Sequence, residues 1–176
     1  MHIAEAYVVY ESNERVKGTC LTNMGIIRFR NQEYLKASEN FQAAAESALI
    51  IIKQSQESGD KSEIKHNMHF YCKRKYLEAL ALFRDAMISD STEEQKWINV
   101  EKHINEIKKI MTRLNMEYPY DFQVCLNIFT SYCCLMTRRL ISAEWDLQIA
   151  KEILESMENT KIDWEGVRII QKEVLS

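Results

Sequence analysis

Four glycines and one proline in 176 residues leave this chain few places to turn sharply. Inside a helix each Gly costs about 1 kcal/mol and each Pro about 3 kcal/mol relative to Ala, so a chain nearly free of both can run in long helices. A sheet protein would need Gly and Asn-Gly turns at short intervals, and no Asn-Gly pair occurs. The fold class expected is all-α.

Hydrophobic periodicity divides the chain into nine expected helices, over residues 3–10, 15–30, 32–56, 62–73, 75–88, 92–115, 121–137, 139–157 and 162–175. Ser58-Gly59-Asp60 is the clearest break: Gly59 ends one helix and Asp60 caps the next. Ser89-Asp90-Ser91-Thr92 reads as a turn, with Ser91 and Glu94 at capping-box spacing. Pro119 opens the helix after it, where a missing N–H is harmless. Between these points Trp97, Val100, Ile104, Ile107, Met111 and Leu114 alternate at three and four and form one apolar face. No linker or low-complexity stretch appears, so residues 1–176 read as one helical domain.

Comparing the chain with itself gives a repeat. Tyr34, Ala37, Phe41 and Ala44 recur 42 residues on as Tyr76, Ala79, Phe83 and Ala86, and again as Leu140, Ala143, Leu147 and Ala150. A small residue, a large one a turn later and another small one suits stacked hairpins. The alanines let helices approach closely, while the Phe or Leu fills the space between hairpins.

Together with Leu21-Thr22-Asn23-Met24-Gly25 and Phe29, the first of these segments resembles the tetratricopeptide repeat (TPR) family. Gly25 falls where that family uses a small residue, whereas Arg28 stands where it has a large one. The second hairpin has His66-Asn67, and the third Thr130-Ser131, in place of Met24-Gly25. The resemblance implies a right-handed α-solenoid of antiparallel hairpins, with a spacing longer than the usual ~34 residues, that binds a peptide or protein partner in its concave groove.

By register, the resemblance lines that groove with Thr22, Asn23, Ile26 and Arg30, then Lys65, Met68, His69 and Cys72, then Ile128, Tyr132 and Met136. Asn23 matches a position where the family often places an asparagine on a ligand's backbone. The Lys and Asn set that some members use to hold a C-terminal carboxylate is incomplete, so that specificity is not implied. Residues 89–118 align with no repeat and are either a divergent helix pair or an insertion. At the ends, residues 4–10 look like half a hairpin. The stripe Trp164, Val167, Ile170 and Val174 either caps the stack or starts another repeat. The alternatives are therefore a structural segment of a larger assembly, self-associating or held through its terminal helices, and a helical regulatory domain of a longer signalling protein.

Other function classes are disfavoured by what the chain carries. A formal net charge of -3 gives no electrostatic reason to expect nucleic acid. No run approaches the ~18 apolar residues of a membrane span, and no signal-peptide pattern opens the chain. Cys20, Cys72, Cys125, Cys133 and Cys134 are odd in number and lie in apolar helical pattern, which fits reduced thiols and a cytoplasmic setting. His66, His69 and Cys72 share a helix, but neither Cys-x-x-Cys nor His-Glu-x-x-His is present, so no metal site is expected. With no Gly-x-Ser-x-Gly elbow and too little glycine for a phosphate loop, neither catalytic residues nor a cofactor are expected.

Basic residues recur where the first helix of each hairpin is expected to end: Arg28 and Arg30, Lys73-Arg74-Lys75, and Arg138-Arg139. They suit helix C-terminal carbonyls, at about 0.3–1 kcal/mol each, or alternatively a basic ridge for an acidic peptide. Glu101, Lys102, Asn105, Lys108 and Lys109 read as a solvated face.

Overall fold

Among the described residues, helix ends are fixed by a few polar groups and three left-handed residues. The computed structural model describes residues 13–88, 94–113 and 120–158. Its elements are α1 (Glu14–Arg30), α2 (Tyr34–Ser58), α3 (Lys61–Ile88), α4 (Glu94–Arg113), α5 (Tyr120–Met136) and α6 (Leu140–Glu158). The all-α expectation holds for the described residues. The helices expected at 3–10 and 162–175, the turn at Ser89-Asp90-Ser91-Thr92 and Pro119 lie outside them.

Asn13 caps α1, its side chain accepting from the amides of Arg15 at 3.1 Å and Val16 at 3.3 Å. At the other end Glu33 N donates to the Arg28 carbonyl at 2.9 Å and Gln32 N to the Phe29 carbonyl at 3.0 Å, with Gln32 at φ 62°. This is a Schellman closure. The end of α5 repeats it 106 residues on: Arg139 N donates to Cys134 at 2.7 Å, Arg138 N to Leu135 at 3.0 Å, and Arg138 has φ 59°. At the end of α2, Gly59 takes φ 75° and Asp60 N donates to Ser55 at 3.0 Å. Asp60 Oδ1 then accepts from Glu63 N at 2.9 Å, so the break read at Ser58-Gly59-Asp60 closes one helix and caps the next.

Over residues 61–88 the two expected helices are one. α3 has 28 residues and runs for about 42 Å. Lys73-Arg74-Lys75 looked like a helix end because three cations interrupt the apolar pattern, but none of them breaks a helix. Arg74 and Lys75 are instead buried in its middle. Lys75 Nζ pairs with Glu78 at 2.7 Å, and Arg74 Nη1 donates across to the Ala44 carbonyl at 2.8 Å. Neither a helix-terminus role nor an exposed ridge applies to these two residues. Ala79, Phe83 and Ala86 are buried as the repeat requires, yet they lie on the back half of one helix rather than on the second arm of a hairpin. The described part of the unaligned stretch, 94–113, likewise holds a single helix.

The helices fall into two compact units, α1 to α3 and α4 to α6. In the first, α2 packs against both α1 and α3. Ala37 and Phe41 of α2 meet Ala81 of α3, and Ile26, Phe29 and Leu77 pack around them. Gly25 makes room for the Phe41 ring: a Cβ there would lie 2.5 Å from Phe41 Cε1. Arg28, the departure from the family pattern, donates to Asn40 Oδ1 of α2 at 2.7 Å and so ties the hairpin by a polar bond.

In the second unit α5 packs against α4 and α6. Val124 and Ala150 form its seam, with Ile128, Ile153 and Leu154 against them. Ser131 takes the place of Gly25, and its hydroxyl donates to the Ala143 carbonyl at 2.9 Å. Trp97 of α4 is buried against Tyr132 of α5, with ring centroids 5.2 Å apart.

Candidate functional site

The structure distributes the expected groove residues over three helices and gives them unequal roles. On α1, Asn23 and Arg30 are exposed and Thr22 is half-buried, its hydroxyl donating to the Gly18 carbonyl at 2.7 Å. Ile26 is half-buried against the Ala37–Phe41–Ala81 core. On α3, Lys65 and His69 are exposed and Met68 is half-buried. Cys72 is a correction: at 0% exposure it is a core residue and lines no open face. Small and apolar, it turns inward where the helix continues past the expected end. On α5, Ile128 packs on the Val124–Ala150 seam, Tyr132 leans on Trp97, and Met136 is exposed at the helix end.

A surface that the residue pattern did not mark lies on α6. Ile141 is 86% exposed, Trp145 70% and Leu140 66%. Ile141 and Trp145 stand at i, i+4, so they share one side of the helix. Leu147, expected to fill space between hairpins, is instead 47% exposed, whereas its counterparts Phe41 and Phe83 are buried. The difference is that Phe41 has α3 packed on it through Ala81, and no described helix covers Leu147 in that way. The signal was in the sequence. From Leu140 to Leu154, Leu140, Ile141, Trp145, Leu147, Ile149, Ile153 and Leu154 wrap more than one face, which one packed side cannot absorb.

Of the α4 residues read as a solvated face, Lys102 and Lys109 are exposed, whereas Lys108 and Glu101 bond to neighbouring elements. Lys108 Nζ donates to Asn127 Oδ1 at 2.8 Å and Thr130 Oγ1 at 2.9 Å on α5, and lies 3.5 Å from Asp146 Oδ1 on α6. Glu101 takes the two-pronged fork of Arg139, with Nη1 at 3.0 Å from Oε1. These bonds tie the helices of the second unit together. Among the described residues, an open hollow of about 430 Å³ is lined by Asn105, Lys108, Lys109 and Thr112 of α4. Burial pushes the Cys133 thiol up to about 12, the charge of Glu101 adding to it, and burial also raises that of Cys134. Neither is an activated nucleophile, since reactivity needs the thiolate.

Among the described residues no group of three or more His, Cys, Asp or Glu is placed to hold a metal ion, and no helix is long and apolar enough to cross a membrane. What the geometry offers is surface: polar side chains on α1 and α3, and an apolar band on α6. No known family model matches the chain, and neither curated proteins nor solved structures give a match to it.

Proposed function

We propose that the chain is a protein-binding module of TPR-like helical hairpins, a scaffold or adaptor with no chemistry of its own. The observation that carries the reading is the exposure of Leu140, Ile141 and Trp145 together on α6. Large apolar side chains grouped on a surface mark a site for another macromolecule, and tryptophan is over-represented among residues that carry binding energy. The matching closures after α1 and α5, with Ser131 standing in for Gly25, support hairpins of one kind in the two units. Asn23, Lys65 and His69 leave a polar face in the first unit for an extended peptide.

Affinity for a partner recovered from the native source tests this. Ile141→Asp with Trp145→Ala is expected to weaken binding by about tenfold or more with helix content unchanged by circular dichroism. Unaltered affinity in that variant, and in Asn23→Ala with Lys65→Ala, removes the reading.

A second reading has its own support in Leu147. An apolar residue left open where Phe41 is covered suits a segment held in a larger assembly by helices stacked on α6. Sedimentation velocity separates the two: concentration-dependent association lost in Leu147→Glu favours assembly, and a monomer at all concentrations opposes it.

A further inference from the structure

Arg74 is a buried cation with no acid to pair with it among the described residues. Its side chain is 7% exposed in the middle of α3. The spacing that would supply a counter-charge is present, since Glu78 stands four residues on, but the Glu78 carboxylate pairs with Lys75 at 2.7 Å. The other acids of α3, Glu63 and Asp85, each stand eleven residues away, about 16 Å along the axis, and Glu63 is taken by Arg15 of α1 and by Asn67 Nδ2. Among the described residues no carboxylate pairs with Arg74.

An isolated ion is costly to bury, and arginine cannot escape the cost by losing its proton. Burial lowers its pKa from the ordinary value, but the group stays charged at any physiological pH. The fork is held in place all the same. Nη1 donates to the Ala44 carbonyl at 2.8 Å, and the guanidinium carbon lies 5.5 Å from the centroid of the Phe70 ring. On α1 it rests against Gly18, where a Cβ would come within 2.7 Å of Nη1 and 2.8 Å of Nη2. Phe70, which carries the guanidinium on its face, is itself exposed, as is His66 packed edge-on against it at 4.8 Å. The cation thus lies just beneath the surface between α1 and α3, and its Nε and Nη2 donors have no protein acceptor among the described residues.

We propose that Arg74, framed by Gly18 and Phe70, is a seat for an oxyanion, the carboxylate or phosphate group of an acidic side chain on a protein partner. A planar fork with two adjacent donors unspent matches either group, and closing the pair supplies the missing counter-charge. The seat belongs to the first unit and does not depend on the apolar band of α6, so the two stand or fall separately.

Thermal unfolding of the full chain tests it with sodium acetate and sodium phosphate as probes, against chloride at matched ionic strength. A saturable rise in Tm is expected with one or both probes. Arg74→Lys keeps the charge and loses the fork, and is expected to weaken the response by about tenfold. Arg74→Met and Gly18→Ala, whose added methyl displaces the guanidinium, are expected to abolish it. A stronger response to acetate identifies a carboxylate source, and a stronger response to phosphate a phosphorylated one. Because phosphate strengthens burial in any protein, the seat is read from the rise in excess of that in Arg74→Met; an equal rise in the wild type and Arg74→Met overturns the proposal, as does equal stability in all three salts. Should Arg74→Met fail to fold, the Arg74 Nε–H resonance of the wild type gives the answer: no displacement under either titration overturns the seat. Ile141→Asp with Trp145→Ala is expected to leave the anion response intact.

Discussion

At Gly25 a single methyl group decides how closely α1 and α2 can lie. The Phe41 ring fills that space, and its neighbours Ala37 and Ala81 hold it there. Gly25→Ala is expected to cost about 1–3 kcal/mol through overpacking, read as a lower urea midpoint. Lys108 is the polar counterpart in the second unit. Lys108→Met removes the donor shared by Asn127 and Thr130 and the charge facing Asp146, for an expected loss of about 1–3 kcal/mol. Cys133 gives a pH dependence. The folded chain holds its proton up to about 12, whereas the unfolded thiol releases it from 9.0 upward. In that window the unfolded state binds fewer protons, so stability falls as pH rises, by up to about 1.4 kcal/mol per pH unit. Denaturant titrations from pH 8 to 11 check this, with Cys133→Ala expected to flatten part of the decline.

Among the elements, those with strong local signals were legible in the residue pattern. Gly59 and Asp60 mark their boundary because each acts through its own backbone or side chain, and the small positions 25, 37, 131 and 143 keep their spacing because close helix packing demands it. The continuity of α3 was hidden. Three adjacent cations read as surface until tertiary partners are known, and the partners of Arg74 and Lys75 lie on another helix or one turn on. The same reason hid the candidate sites. Cys72 is buried where α3 runs on past the expected end, and the Arg74 seat exists only once Gly18 and Ala44 are brought to it. A consequence is measurable by limited trypsin digestion. Lys73, Arg74 and Lys75 should resist cleavage while the chain is folded, because a protease needs an extended backbone and α3 offers a helix there. Early cleavage at these three residues would show a turn instead.

For the molecule as a whole, the hairpin turns after α1 and α5 repeat one hydrogen-bonding pattern in two units, and both place a residue with a side chain in the left-handed region: Gln32 at φ 62° and Arg138 at φ 59°. For L-residues other than glycine that conformation costs about 1–2 kcal/mol, part of which glycine would give back through its larger unfolded-state entropy. Gln32→Gly and Arg138→Gly are each expected to raise stability by up to about 1 kcal/mol, seen as a higher Tm. The two turns lie far apart in sequence, and neither Gln32 nor Arg138 is among the side chains proposed to meet a partner. They form an untapped margin of heat resistance, and selection of this chain for growth at higher temperature should find glycine at positions 32 and 138 before it alters any surface used for recognition.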